Sequence, residues 1–169
     1  MSERRLRLAS AVLAALGAAI TAYLLYVRQT GGALVCSTGG CETVQSSSYA
    51  EVLGVPVAAV GLIGFLGLLV TALARGEWAR LSQATLALSA FLFSAYLLYI
   101  QLVVIGATCQ WCLATDVLTT AIVALALLRL RLGAAPAPAA AAPTRPYPKR
   151  RPNGSRGANR KPKQRGRSR

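Results

Sequence analysis

The amino-acid sequence predicts an all-α membrane protein, a four-transmembrane-helix bundle with a cysteine-bearing extracytoplasmic loop and a basic tail. Three observations carry that prediction. Hydrophobic residues make up 54% of the 169, with a mean hydropathy of +0.48. They are gathered into four long runs, each near the roughly 20 residues that cross about 30 Å of hydrocarbon as a helix. The basic residues fall at alternate ends of those runs, as an even number of crossings requires.

The first run extends from about Leu8 to Val27, with Arg4, Arg5 and Arg7 before it and Arg28 directly after. A cleaved signal peptide is the competing reading. The run exceeds the usual apolar core of about 7–15 residues and has no clear small-residue cleavage site before the loop, so a retained span is expected. The second span, about Val52 to Ala74, contains Gly61, Gly64 and Gly67, whose three-residue spacing predicts a small-residue face for close helix packing. The third covers about Leu81 to Ile105 and the fourth about Cys112 to Leu130. The connection Arg75 to Arg80 is short, so spans two and three should form an antiparallel hairpin.

With four crossings, Arg4, Arg5, Arg7, Arg75, Arg80, Arg129, Arg131 and the tail share one side. The positive-inside rule makes that side cytoplasmic. Both termini are then cytoplasmic. The opposite side holds the segment from Arg28 to Glu51 and the turn from Gly106 to Trp111.

From Gly133 to Arg169 the composition changes: APAPAAAAP gives way to a segment rich in Lys and Arg. This stretch holds 11 of the 19 basic residues and no acid, so it supplies most of the +14 net charge. Lacking apolar periodicity, it is expected to be disordered and drawn to anionic lipid headgroups. Nucleic acid is the disfavoured partner, because Tyr147 is the segment's sole aromatic for stacking a base.

The chain has no histidine and five acids, which leaves four cysteines as its main reactive groups. Cys36 and Cys41 lie in one extracytoplasmic segment; Cys109 and Cys112 form CQWC where the chain enters span four. Outside the cytoplasm disulfides form and persist. The amino end of a helix stabilises a thiolate, so Cys112, and with it Cys109, is expected to be activated there. Gly39 and Gly40 should let the first pair swing. Two static disulfides would be the inert alternative. Four thiolates on zinc is another, disfavoured because nothing else suggests a metal-dependent fold; without histidine or CxxCH, haem is disfavoured too. No metal is expected.

Taken together, these residues resemble the vitamin K epoxide reductase family in its bacterial, single-domain form. The resemblance rests on Cys36, on Cys41 followed by Val44, Ser47 and Tyr49, on GVPVAAVG from Gly54 to Gly61, and on CQWC at the head of span four, and covers about residues 8–130. The order, loop pair first and CxxC last, differs from that of the DsbB-type oxidases, which carry CxxC in their first loop.

The resemblance implies a quinone-dependent thiol-disulfide oxidoreductase of the bacterial inner membrane that supports extracytoplasmic disulfide formation. Carried onto this chain, it makes Cys36 the sulfur that exchanges with a separate DsbA-like thioredoxin-fold protein. Cys41 would bridge transiently to Cys109, leaving Cys112 as the thiolate facing the quinone. Ser47 matches a serine near the family's active site. Asp116 stands where the animal enzymes have a tyrosine, and Val55-Pro56-Val57 where they have an asparagine, which favours menaquinone or ubiquinone over vitamin K epoxide. Trp111 and Asp116 are the foremost quinone-pocket candidates; Phe91, Phe93, Tyr96 and Tyr99 are further ones that helical spacing assigns more readily to core or interfacial belt. The alternatives are a disulfide-braced membrane scaffold and an adaptor acting through its basic tail.

Overall fold

The computed structural model describes residues 2–134, so the expected tail lies outside the described residues apart from Gly133 and Ala134. Four long helices dominate: α1 (Glu3–Thr30), α3 (Val57–Leu73), α4 (Glu77–Tyr99) and α5 (Gln110–Ala134). A short helix α2 (Cys41–Gln45), a 3-10 turn (Ser48–Ala50) and a two-stranded hairpin, β1 (Glu51–Val52) with β2 (Val55–Pro56), connect α1 to α3. Three of the long helices are long and apolar enough to cross a membrane, α4 together with its extension to Ile105. The fourth, α3, is a shorter apolar helix of 17 residues.

The expected second span began too early. Residues from Val52 to Pro56 are strand and turn, because Leu53 and Gly54 both take positive φ, 52° and 80°, as a tight hairpin of primed type requires. Pro56, which has no N–H to donate, precedes the first helical residue. At its other end, α3 stops at Leu73, and basic side chains from two neighbours meet its last carbonyls. Arg7 of α1 donates to the carbonyls of Ala72 and Leu73, and Arg129 of α5 to those of Thr71 and Ala74. A helix end normally leaves four carbonyls for water. Here arginines satisfy them, which suits a short helix that ends among its neighbours. Arg129 is 1% exposed, also donates to Gln83 on α4, and lies 3.6 Å from the Glu3 carboxylate.

The helices form a closed ring in which α1 packs on α3 and α5, and α4 on α5 and α3. The core consists of Ala14, Ala18, Phe65, Leu68, Ala87, Ile122 and Ala126. Small residues on α1 admit a large one from α3: a Cβ on Gly17 would stand 2.3 Å from the Phe65 ring. The expected single glycine face on α3 divides instead. Gly61 meets Thr21 of α1, Gly67 meets Leu86 of α4, and Gly64 faces open space. Three-residue steps fall short of a 3.6-residue turn, so successive glycines rotate around the helix.

Arg7, the carboxyl end of α3 and Arg129 thus meet at one end of the bundle, while the two cysteine segments meet at the other.

Candidate functional site

At the cysteine end, the chain after α1 folds back over the start of α5. Cys36 and Cys41 are joined in a disulfide, whereas Cys109 and Cys112 are free thiols. Accessibility differs within each pair. Cys41 and Cys109 are fully buried, while Cys36 and Cys112 are half-buried.

Hydrogen bonds strap the loop to the CxxC turn. Thr38 Oγ1 donates to the Thr108 carbonyl at 2.8 Å, and the Ser37 N–H to Gln110 Oε1 at 3.0 Å. The Val35 carbonyl accepts from Gln110 Nε2 at 3.3 Å and Trp111 Nε1 at 2.8 Å. From α2, Gln45 Nε2 reaches towards Cys112 Sγ at 4.0 Å. Arg28 ties the end of α1 to the same structure through the Gln45 carbonyl at 2.8 Å and the Glu51 carboxylate at 2.6 Å.

The two glycines have separate steric tasks, where the sequence suggested shared flexibility. Gly39 has φ +74° with open space around it, so it supplies a left-handed turn. Gly40 has an ordinary φ of −98°, but a Cβ there would lie 2.6 Å from the Thr108 carbonyl oxygen and 2.7 Å from its nitrogen. Only a residue without a side chain lets these backbones touch. Cys41 and Cys109 are the next residues along each chain, so this contact brings the two buried sulfurs' segments together.

Helix α5 begins at Gln110, before the expected start of the span, and this changes which sulfur the helix end serves. Cys109 occupies the capping position: its carbonyl accepts from the Leu113 N–H at 3.0 Å and its Sγ from the Cys112 N–H at 3.4 Å. The Cys112 thiol donating to the Cys109 sulfur brings the Cys109 pKa down from 9.0 to about 7. Burial opposes this, and the backbone N–H groups of Cys112 and Trp111 and the side chain of Gln45 add to the lowering. Of the two cysteines expected at this helix end, Cys109 is thus the one whose thiol is made more acidic.

Beneath the CxxC turn lies a cavity of about 300 Å³ lined by all four long helices and by α2, at the lower end of the roughly 300–1,000 Å³ range of small-molecule sites. Its walls are mostly apolar. Cys112, Gln45, Ser47 and Asp116 line it, with Ser94 donating to the Asp116 carboxylate across from α4. Ser47 also donates to the Val44 carbonyl at 2.7 Å, the local role open to it from its place in the loop.

Of the expected aromatic candidates, Phe93 lines this cavity. Trp111 stands outside its lining: the indole packs on Tyr23 with ring centroids 5.3 Å apart and donates to the loop, so it braces rather than encloses. Tyr96 and Tyr99 are more than half exposed on the bundle's exterior. The contact made by Gly40 escaped the sequence reading, as did Gln45 and Gln101, a buried amide in the cavity wall. A glutamine inside an apolar span is itself a signal for the last. Nothing in the one-dimensional pattern separates Gly40 from Gly39.

The model of the vitamin K epoxide reductase family matches residues 8–127, a range that includes all four cysteines. The thiol-disulfide oxidoreductase LTO1 of Arabidopsis thaliana is 33% identical over 123 residues, which are 62% of this chain and 31% of that protein. The chain thus spans about a third of the length of this curated relative.

Proposed function

The chain belongs to the vitamin K epoxide reductase family, and from that premise we propose that it is a four-span membrane thiol:quinone oxidoreductase that reoxidises a separate DsbA-like thioredoxin-fold protein. One observation carries the reading: an oxidised pair, Cys36–Cys41, is strapped over a reduced pair, Cys109 and Cys112, and Cys112 lines a mostly apolar cavity. Two inert braces would leave no dithiol at a cavity wall.

The sulfurs form a relay. A thiolate of the reduced partner attacks half-buried Cys36, releasing Cys41, and the partner's second thiol resolves the mixed disulfide. The partner leaves oxidised and the loop pair is reduced. Cys41 then attacks an oxidised CxxC at Cys109, releasing Cys112. Attack by Cys36 on Cys41 re-forms the loop disulfide and frees Cys109, which is a good leaving group because its pKa is about 7. This returns the arrangement of one loop disulfide over one CxxC dithiol. The dithiol gives two electrons and two protons to quinone in the cavity, producing quinol and the Cys109–Cys112 disulfide. Menaquinone and ubiquinone are the proposed acceptors; the protein supplies position and electrostatics.

The topology follows from charge. With α3 as a fourth crossing, Arg7, Arg75, Arg80, Arg129 and Arg131 face the cytoplasm and both cysteine pairs the extracytoplasmic side of a bacterial inner membrane. The short α3 is compatible with this because Arg7 and Arg129 satisfy its final carbonyls.

The test is quinone-dependent oxidation of a reduced thioredoxin-fold protein by the purified full chain. Cys112→Ala is expected to stop quinone reduction; in Cys41→Ala mixed with the oxidised partner, the Cys36 thiolate is expected to attack the partner's disulfide and accumulate a mixed disulfide. Undiminished turnover in Cys112→Ala would overturn the electron path; a mixed disulfide trapped at Cys41 in Cys36→Ala, and none at Cys36, would reverse the loop roles.

A further inference from the structure

One polar group in the cavity wall is used neither by the sulfur relay nor by the packing. Gln101 lies on the π-helical segment Ile100–Ile105 that extends α4, is 3% exposed, and has a side-chain Nε2 with no hydrogen-bond partner. Leaving a buried amide donor unpaired is unfavourable. The backbone around it is wound to keep it there: the Gly106 and Ala107 N–H groups both close on the Gln101 carbonyl, with Gly106 at φ +67°. Segments of this widened kind are frequent at functional sites.

Apart from Tyr49, which is exposed, the other polar groups along the cavity have occupations. Thr21 donates to the carbonyls of Gly17 and Ala18, Ser47 to that of Val44, and Ser94 to Asp116. Gln45 reaches towards Cys112. The Gln101 amide is the buried donor left over in a wall that also contains the Cys112 sulfur.

We propose that Gln101 binds the electron acceptor, donating from Nε2 to one ring carbonyl oxygen of the quinone and so setting the ring against Cys112. The assignment rests on the quinone-reducing function proposed above and adds to it the residue that holds the substrate. The reaction served is dithiol plus quinone giving disulfide plus quinol, with two electrons and two protons passing from Cys109 and Cys112. Gln101 exchanges no proton. Its bond strengthens as the carbonyl oxygen gains negative charge, so it favours the product direction.

Gln101→Met removes the donor while retaining side-chain length. In the full chain in nanodiscs, affinity for menadione or a short-chain ubiquinone, read by quenching of tryptophan fluorescence, is expected to fall about tenfold, equivalent to about 1.4 kcal/mol. The quinone KM should rise with it. Reduction of the loop disulfide by a thioredoxin-fold dithiol should be unchanged, and the quinone-free melting temperature unchanged or higher, because an unpaired buried donor has been removed. Gln101→Asn, which draws the amide back by one methylene, is expected to lose affinity in the same way without a change of residue class. Unaltered quinone affinity in Gln101→Met and Gln101→Asn, with Cys112→Ala still inactive, would overturn the role of Gln101 alone. A wild-type chain that neither binds nor reduces either quinone would overturn the proposed function and this assignment together.

Discussion

Replacing Gly40 with alanine tests whether the backbone contact between the two cysteine segments is what couples them. The new Cβ would stand 2.6 Å from the Thr108 carbonyl oxygen and 2.7 Å from its nitrogen, where ordinary contact begins at 3.4 Å. The obstructing atoms are backbone, so no side-chain rotation relieves them. The loop must retreat by roughly 0.8 Å, and forced overpacking of this kind costs about 1–3 kcal/mol. The proposed transfer from Cys41 to Cys109 needs the sulfurs in line, and a misplacement of about 1 Å can lower a rate about 100-fold. Turnover with a reduced thioredoxin-fold protein should therefore fall by about 10- to 100-fold. Quinone reduction by CxxC reduced directly with a small dithiol should stay near the wild-type rate, because Cys112 and the cavity are untouched. Stopped-flow measurement of both reactions separates the two effects. Full turnover with the protein partner in Gly40→Ala would refute the reasoning; equal loss of both reactions would show that the substitution acts on the whole site instead.

Three further outcomes follow from the same structure. With the loop disulfide intact, ultraviolet thiolate absorbance of the reduced CxxC should titrate near pH 7; Cys112→Ser, which keeps a donor, should preserve this, and Cys112→Ala should move it up towards 9.0. Because the folded value lies below the unfolded one, the thiolate's contribution to stability is full above about pH 9 and is lost as the pH falls through 7, a trend that melting curves across this window will display. Arg129→Met leaves the carbonyls of Thr71 and Ala74 and the Gln83 side chain without their donor, so thermal unfolding should show a loss of roughly 2–4 kcal/mol, the unpaired acceptors being partly offset by relief from burying a guanidinium, with CxxC reactivity unchanged. Gly17→Ala drives a Cβ to 2.3 Å from the Phe65 ring and should destabilise by about 1–3 kcal/mol, with Phe65→Leu restoring part of the loss in the double variant.

The helical bundle was legible because a bilayer imposes a coarse rule on sequence: long apolar runs with basic residues gathered at alternate connections. That rule misplaced the start of the second helix. A hydropathy run does not distinguish Val52 and Val55 in a hairpin from the helical residues after Pro56; the positive φ of Leu53 and Gly54 does. It also overlooked the functions of Arg7 and Arg129. In sequence these residues are topology signals, while in three dimensions both reach the carboxyl end of α3.

The same division runs through the site. The sequence by itself narrowed the candidate reactive atoms to four sulfurs, because a chain without histidine and with four cysteines in two close pairs has few other candidates, and their order along the chain identified the family. Only the tertiary structure decided how those atoms are arranged. It joined Cys36 to Cys41, placed Cys109 at the cap of α5, and left Cys112 at a cavity. It also moved Trp111 from cavity to brace and made Gly40 a contact point. The reason is physical: a residue's chemistry is set by its own bonds, but its pKa, its accessibility and its reach are set by neighbours distant in the chain. Gln45 reaches Cys112, and Thr38 reaches Thr108, across more than sixty residues of sequence, and no local pattern records that they will meet.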